Sequence, residues 1–250
     1  MDESPFFNYI LEGLNSSLTD YGYNLSFVYM NRSTPLEVQE MQLRSSDCKG
    51  FLIFGVEMQR EDLQVFIDTG LPFVVLDNSF QESDVDSVSI NNFQGISKAM
   101  QYAYDMGHRE IGYIRCRERI TSFSERYQAY KNCMKKFGLK IKESYIWDVN
   151  YSEKTIREEV GKYLSENNEN PTIFIAENDF IACHAIHGMQ DNGYRVPEDI
   201  SVIGFDDRPV CQMIVPSVTT VNVPKNAFGS AAVELLNGKN AESKRVFYEN

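Results

Sequence analysis

A chain of 250 residues, 42% of them hydrophobic and 24% charged, can bury a substantial core as one large domain or two small ones. Its formal net charge of −12 makes the chain itself a poor partner for a nucleic-acid backbone, which is bound by Lys and Arg neutralising phosphates. No stretch reaches the roughly 18 consecutive apolar residues of a membrane span. The acidic start Met1-Asp2-Glu3-Ser4-Pro5 lacks the basic and apolar regions of a signal peptide. Cys48, Cys116, Cys133, Cys183 and Cys211 are scattered, without CxxC or Cys/His metal spacing, and read as reduced cytosolic thiols.

In chain order, Phe7, Leu11, Leu14, Leu18 and Tyr21 recur at three- and four-residue spacing and predict an amphipathic helix over 5–21, closed by Gly22. Residues 25–30 predict a strand, 36–46 a helix and 51–54 a strand; Leu63, Phe66 and Ile67 mark another helix. The strand 73–76 ends at Asp77, and 85–90 is a short extended piece. Helices over 93–106, 124–137, 152–167, 179–192 and 225–236 then alternate with strands over 110–114, 145–149, 172–176, 200–205 and 218–221, before a last extended piece at 245–248. Such alternation predicts an α/β fold with doubly wound parallel sheets. Trp147, inside a strand, is read as core.

Four of these strands end in residues that can hydrogen-bond a small ligand. Leu76 is followed by Asp77, Ile114 by Arg115, Glu177 by Asn178, and Phe205 by Asp206. In open parallel sheets ligands bind beyond the carboxyl ends of the strands. Asp, Asn and Arg there offer paired acceptors and donors that suit the vicinal hydroxyls of a polyhydroxylated ligand. Spacing alone leaves a second reading equally open: Asn178 or Asp179 capping the following helix, and Asp207 forming a turn.

The stretch Arg195-Val196-Pro197-Glu198-Asp199-Ile200-Ser201-Val202-Ile203-Gly204-Phe205-Asp206-Asp207, with Pro216-Ser217-Val218-Thr219-Thr220-Val221 after it, resembles a signature late in the effector-binding domain of LacI/GalR-type bacterial transcription regulators. The resemblance implies a periplasmic-binding-protein type I fold, two α/β lobes joined by three crossovers. The crossings are then expected near Arg115, 221–223 and 243–245, giving lobes of 1–115 plus 223–243 and of 116–222 plus 244–250. It also implies ligand contacts from Asp206, from Arg126 in Arg126-Tyr127-Gln128-Ala129, from Asn178 in Glu177-Asn178-Asp179, and from Asp77. Phe6 and Phe7 match the position that holds effector from the first lobe, and Tyr151 an aromatic that stacks on it from the second. For Phe7 ordinary packing on the helix's apolar stripe stays open.

The chain departs from the family in several places. Ala129 stands for a glycine, and Glu177 replaces a small residue and is a further candidate to reach the cleft. Arg115-Cys116-Arg117-Glu118-Arg119 replaces a Gly-rich loop; it is either a solvated surface, the favoured reading, or a contact for an anionic effector. The family's first strand and helix-turn-helix domain are not in this sequence, so a piece of a longer regulator is expected.

No nucleophile elbow, P-loop, dinucleotide fingerprint or metal motif occurs, and His184 and His187, at i and i+3, have no neighbouring third ligand. The expectation is a cytoplasmic, non-enzymatic sensor without cofactor. It would bind a small effector, by family default a sugar, between its lobes, act as a homodimer, and reach operator DNA only through the missing N-terminal domain. The alternative is an extracytoplasmic sugar-binding protein of an importer, which shares the fold.

Overall fold

The computed structural model describes residues 4–30, 34–45, 47–78, 80, 85–167, 169–238 and 245–248. The elements are α1 (Ser4–Asp20), α2 (Leu36–Ser45), β1 (Phe51–Phe54), α3 (Gln64–Ile67), β2 (Phe73–Leu76), β3 (Ser87–Ile90), α4 (Asn92–Asp105), β4 (Ile111–Cys116) and α5 (Thr121–Lys136). They continue with β5 (Ile146–Val149), α6 (Glu153–Glu166), β6 (Ile173–Ala176), α7 (Asp179–Asp191), β7 (Ser201–Asp206), β8 (Thr219–Asn222), α8 (Lys225–Leu236) and β9 (Arg245–Tyr248). The chain divides into two compact units, one built on Asn91–Val223 and one on Phe7–Ile90 with Pro224–Tyr248.

The smaller unit has a parallel sheet in the order β1-β2-β3-β9. Ile10, Leu14 and Leu18 recur every four residues along one stripe of α1, and all three are buried. A Cβ on Gly13 would lie 2.1 Å from the Asn226 carbonyl oxygen, and one on Gly229 2.3 Å from that of Ile10, so α1 and α8 approach at a distance only glycine permits. A second cluster of Leu43, Ile53, Leu63, Val65, Phe66 and Val75 joins α2, α3 and the strands, with Met30 packed on it.

Three expectations are corrected here. Residues 25–30 form no strand: an apolar alternation makes a strand only with a ladder partner, and Phe27 and Tyr29 are 72% and 87% exposed. The last strand belongs to this sheet rather than to the other unit, because β9 runs parallel beside β3 in the register Ser87↔Arg245 to Ile90↔Tyr248. The first crossing falls at Ile90–Asn91 rather than near Arg115, because α4 packs on α5.

The larger unit holds a five-stranded parallel sheet in the order β5-β4-β6-β7-β8. All four residues of β6 are buried, as are Val202 to Asp206 of β7, the pattern of strands covered on both faces. Trp147 is buried between Tyr163 and Phe174, at ring-centroid distances of 5.3 and 4.1 Å. At Gly204 an added Cβ would meet Asp179 Oδ1 at 2.2 Å, so the first turn of α7 seats directly on β7. That contact sets the ends of β6 and β7 side by side.

Candidate functional site

At the carboxyl edge of the larger unit's sheet, Arg126 of α5 meets the Glu177 carbonyl just after β6 and the side chain of Asp206, the last residue of β7. Its guanidinium is 3% exposed and has a partner on each side. Nε donates to Asn92 Oδ1 at 2.8 Å, Nη1 to the Glu177 carbonyl at 2.6 Å, and Nη2 lies 3.3 Å from Asp206 Oδ1. The ring of Phe205 lies under it, 3.7 Å from the guanidinium carbon, adding a cation–π contact. Asn92 in turn donates to Glu125 at 2.8 Å.

The backbone at this edge is unusual. Asp206 has φ 111° and Asp207 φ 53°, a region L-residues seldom occupy and where Asp and Asn are tolerated best. Such strain collects where a side chain is aimed for function. Asp207 Oδ2 accepts from Asn222 at 3.0 Å and its N–H donates to Thr220 at 3.3 Å, so Asp207 ties the turn to β8.

Asn178 does two things at once. Its Oδ1 caps α7 by accepting from the Ile181 amide at 3.0 Å, and its Nδ2 donates to the Tyr151 hydroxyl at 2.8 Å. Tyr151 stacks on Phe180 with centroids 4.7 Å apart. The capping reading of Asn178 therefore holds, and capping also fixes an aromatic beside the strand ends. Asp179 is buried, accepting from the Arg208 amide at 2.7 Å and the Thr220 hydroxyl at 2.5 Å. Burial pushes its carboxyl up against those bonds.

Glu177 does not reach out as a ligand group. Its side chain is fully buried and turns sideways, accepting from the Cys116 amide and from Arg119 Nη1, each at 2.7 Å. Burial pushes its carboxyl up to about 7, with Arg119 opposing. Asn92 and the Glu177–Arg119 pair were missed from sequence. The adjacent Glu125-Arg126 and the pair Asn91-Asn92 were visible, but nothing local says which partners they meet.

In the smaller unit, Phe7 packs edge-on against Phe54 at the end of β1, with centroids 5.3 Å apart. Asp77, just past β2, has φ 58°, and its N–H donates to Val88 at 2.9 Å. Asn78 beside it donates to the carbonyls of Gly55 and Met58 at 2.8 and 3.0 Å and fixes that turn. Phe6 is buried and falls on the larger unit's side of the division, Phe7 on the smaller's.

An open groove of about 960 Å³ runs elsewhere on the larger unit, past Ser152, Glu153, Arg157, Gly161, Asp191 and Asn192. Its charges pair among themselves, Arg157 with Asp191 at 2.7 Å and Glu153 at 3.9 Å, and Lys154 with Glu158 at 3.8 Å. Among the described residues no group of three or more His, Cys, Asp or Glu could hold a metal ion. No helix there is long and apolar enough to cross a membrane.

The larger unit is an α/β domain whose parallel sheet carries acid, amide and guanidinium groups at its carboxyl edge. The profile of the periplasmic binding protein-like domain matches residues 100–247. The chain is 29% identical over 236 residues to the HTH-type transcriptional repressor PurR of Pasteurella multocida, spanning 94% of this chain and 70% of that protein. It is 27% identical over 233 residues to Catabolite control protein A of Priestia megaterium, spanning 92% and 70%. Among solved structures it is similar to the transcriptional regulator CelR in complex with cellobiose, with TM-score 0.85, 24% identity and coverage of 97% and 76%. It is similar also to a LacI family regulator of Enterococcus faecalis with bound ribose, with TM-score 0.80, 21% identity and coverage of 98% and 91%. The chain belongs to the periplasmic binding protein-like domain family. The two sequence relatives named here are a transcriptional repressor and a catabolite control protein.

Proposed function

We propose that this domain senses a small polyhydroxylated ligand, a sugar, at the carboxyl edge of the larger unit's sheet. The observation that carries the proposal is the Arg126–Asp206 pair, buried, 3.3 Å apart and set on a backbone with φ 111° at Asp206. A carboxylate beside a guanidinium offers an acceptor and a fork of donors to neighbouring hydroxyls. Tyr151, stacked and hydrogen-bonded, offers a face for the apolar side of a sugar ring. Asn178, Asp206, Arg126 and Tyr151 are the proposed contacts of this unit, and Phe6, Phe7 and Asp77 are proposed contacts by resemblance. The ribose and cellobiose carried by two structural neighbours favour a sugar.

We propose further that the domain is the effector-binding part of a LacI/GalR-type transcription regulator, a cytoplasmic homodimer without enzymatic activity, which ligand shifts between two arrangements by its differential affinity for them. A solute-binding protein of an importer is not favoured, since the relatives named above are transcription regulators. Thermal denaturation with ribose, glucose and cellobiose tests the reading. Wild-type protein is expected to be stabilised by at least one of them, by about 2.7 kcal/mol at a hundredfold excess over Kd. Asp206→Asn is expected to show no shift with that sugar. Equal shifts in both proteins refute the site.

A further inference from the structure

We infer that Glu177 selects against anionic effectors, so that the ligand of this site is an uncharged sugar and not its phosphorylated form. The inference rests on the ligand-sensing reading above and deepens it. An arginine-rich loop at the end of β4, next to the ligand edge, would ordinarily suggest a phosphate clamp, because guanidinium binds phosphate oxygens through two parallel hydrogen bonds. Here every guanidinium of that loop already faces a carboxylate. Arg115 makes the bidentate contact itself, to Asp148, through Nε at 2.6 Å and Nη2 at 2.9 Å. Arg117 is paired with Glu159. Arg119 meets Glu177 at 2.7 Å.

The pairs differ in how firmly they hold. Those of Arg115 and Arg117 are partly exposed, and such surface pairs yield readily to water, salt or a competing anion. The Glu177 carboxylate is fully buried, with one oxygen on Arg119 and the other on the Cys116 amide. It anchors Arg119, whose side chain is 33% exposed, on an oxygen that is itself buried, and Glu177 is the residue directly before Asn178. Two further arginines lie at this edge. Arg126 has Asp206, and the positive charge of Arg208 acts on buried Asp179. The anion cradle at the N-terminus of α7 is closed by Asn178 Oδ1. A phosphoryl group brought here would add roughly −1.5 to −2 charges to an edge where Arg115, Arg117, Arg119 and Arg126 each face a carboxylate, and Glu125 and Asp207 add negative charge beyond those pairs. An uncharged polyol meets no such barrier and uses Asp206 and Arg126 as they stand.

The test is a thermal-shift and calorimetric comparison of ribose with ribose 5-phosphate, glucose with glucose 6-phosphate, and inorganic phosphate, on wild type and Glu177→Gln. Wild type is expected to respond to an uncharged sugar and to bind the phosphorylated partner at least tenfold more weakly. Glu177→Gln, which removes the carboxylate and loosens Arg119, is expected to narrow that ratio by tenfold or more at about pH 8, where the wild-type carboxyl is ionised. Wild-type protein that prefers the phosphorylated sugar overturns the inference while leaving the ligand-sensing reading in place. No response to any of these compounds overturns that reading, and the inference with it. The wild-type comparison needs no variant, so it can overturn the inference even where Glu177→Gln fails to fold, and a folded Glu177→Gln with an unchanged ratio overturns the role of Glu177.

Discussion

Raising the pH through neutrality should weaken the larger unit through a single buried carboxyl. Glu177 carries no exposed surface, and burial lifts it from the usual 4.5 to about 7, against the opposing pull of Arg119, the Cys116 amide and Arg126. In the unfolded chain it titrates near its ordinary value, so between the two values the folded state holds a proton that the unfolded state has released. A group raised in this way stabilises the fold fully below its unfolded pKa, and that contribution is lost as pH rises through about 7. At roughly 1.4 kcal/mol per unit, the loss comes to about 3 kcal/mol. Glu177→Gln cannot titrate and should lack this slope. Urea unfolding at about pH 5 and about pH 8 measures it, read through Trp147, the chain's one tryptophan, which is buried in the same unit. Wild-type stability should fall relative to the variant by about 2–3 kcal/mol across that window, since pH 5 already lies above the unfolded value. Parallel profiles for the two proteins would refute the placement of Glu177 as a buried, proton-taking group.

Asp206→Asn keeps the side chain's shape and still offers Arg126 an oxygen, so it should cost only about 1–3 kcal/mol while losing the ligand response; urea unfolding beside the sugar titration separates the two effects. Asn178→Ala removes both the α7 cap and the bond to Tyr151 and should cost about 2–3 kcal/mol, whereas Tyr151→Phe removes only the second and should cost about 1 kcal/mol. Equal costs in the same urea assay would show that the cap contributes nothing. Gly204→Ala drives a methyl to within 2.2 Å of Asp179 Oδ1 and should lower stability by about 1–3 kcal/mol, seen as a reduced urea midpoint.

What was legible in the sequence was local or periodic. The apolar runs of β6 and β7 and the amphipathic stripe of α1 declare their elements, and their alternation declares parallel sheets. The resemblance of the stretch ending at Asp206-Asp207 then drew attention to Arg126 and Asn178, which the structure brings to the same sheet edge. Pairing was not legible, because a ladder partner is a distant segment. Residues 25–30 have the composition of a strand and no strand beside them, and β9 joins β3 across more than half the chain. At the crossing Ile90–Asn91 the sequence offers only a cap for α4 in Asn91; that the chain changes units there follows from the packing of α4 on α5 and from Asn92 reaching Arg126. Glu177 is the clearest case. Its direction is fixed by an amide 61 residues away and by an arginine 58 residues away, and no spacing rule encodes that.

The most direct test of the central claim is amide chemical-shift mapping of the 15N-labelled domain with whichever of ribose, glucose or cellobiose stabilises it most. The account predicts the largest changes at Glu177, Asn178, Asp206 and Asp207, past the ends of β6 and β7, with smaller ones near Arg126. Changes confined to the open groove around Arg157 and Asp191 would contradict it.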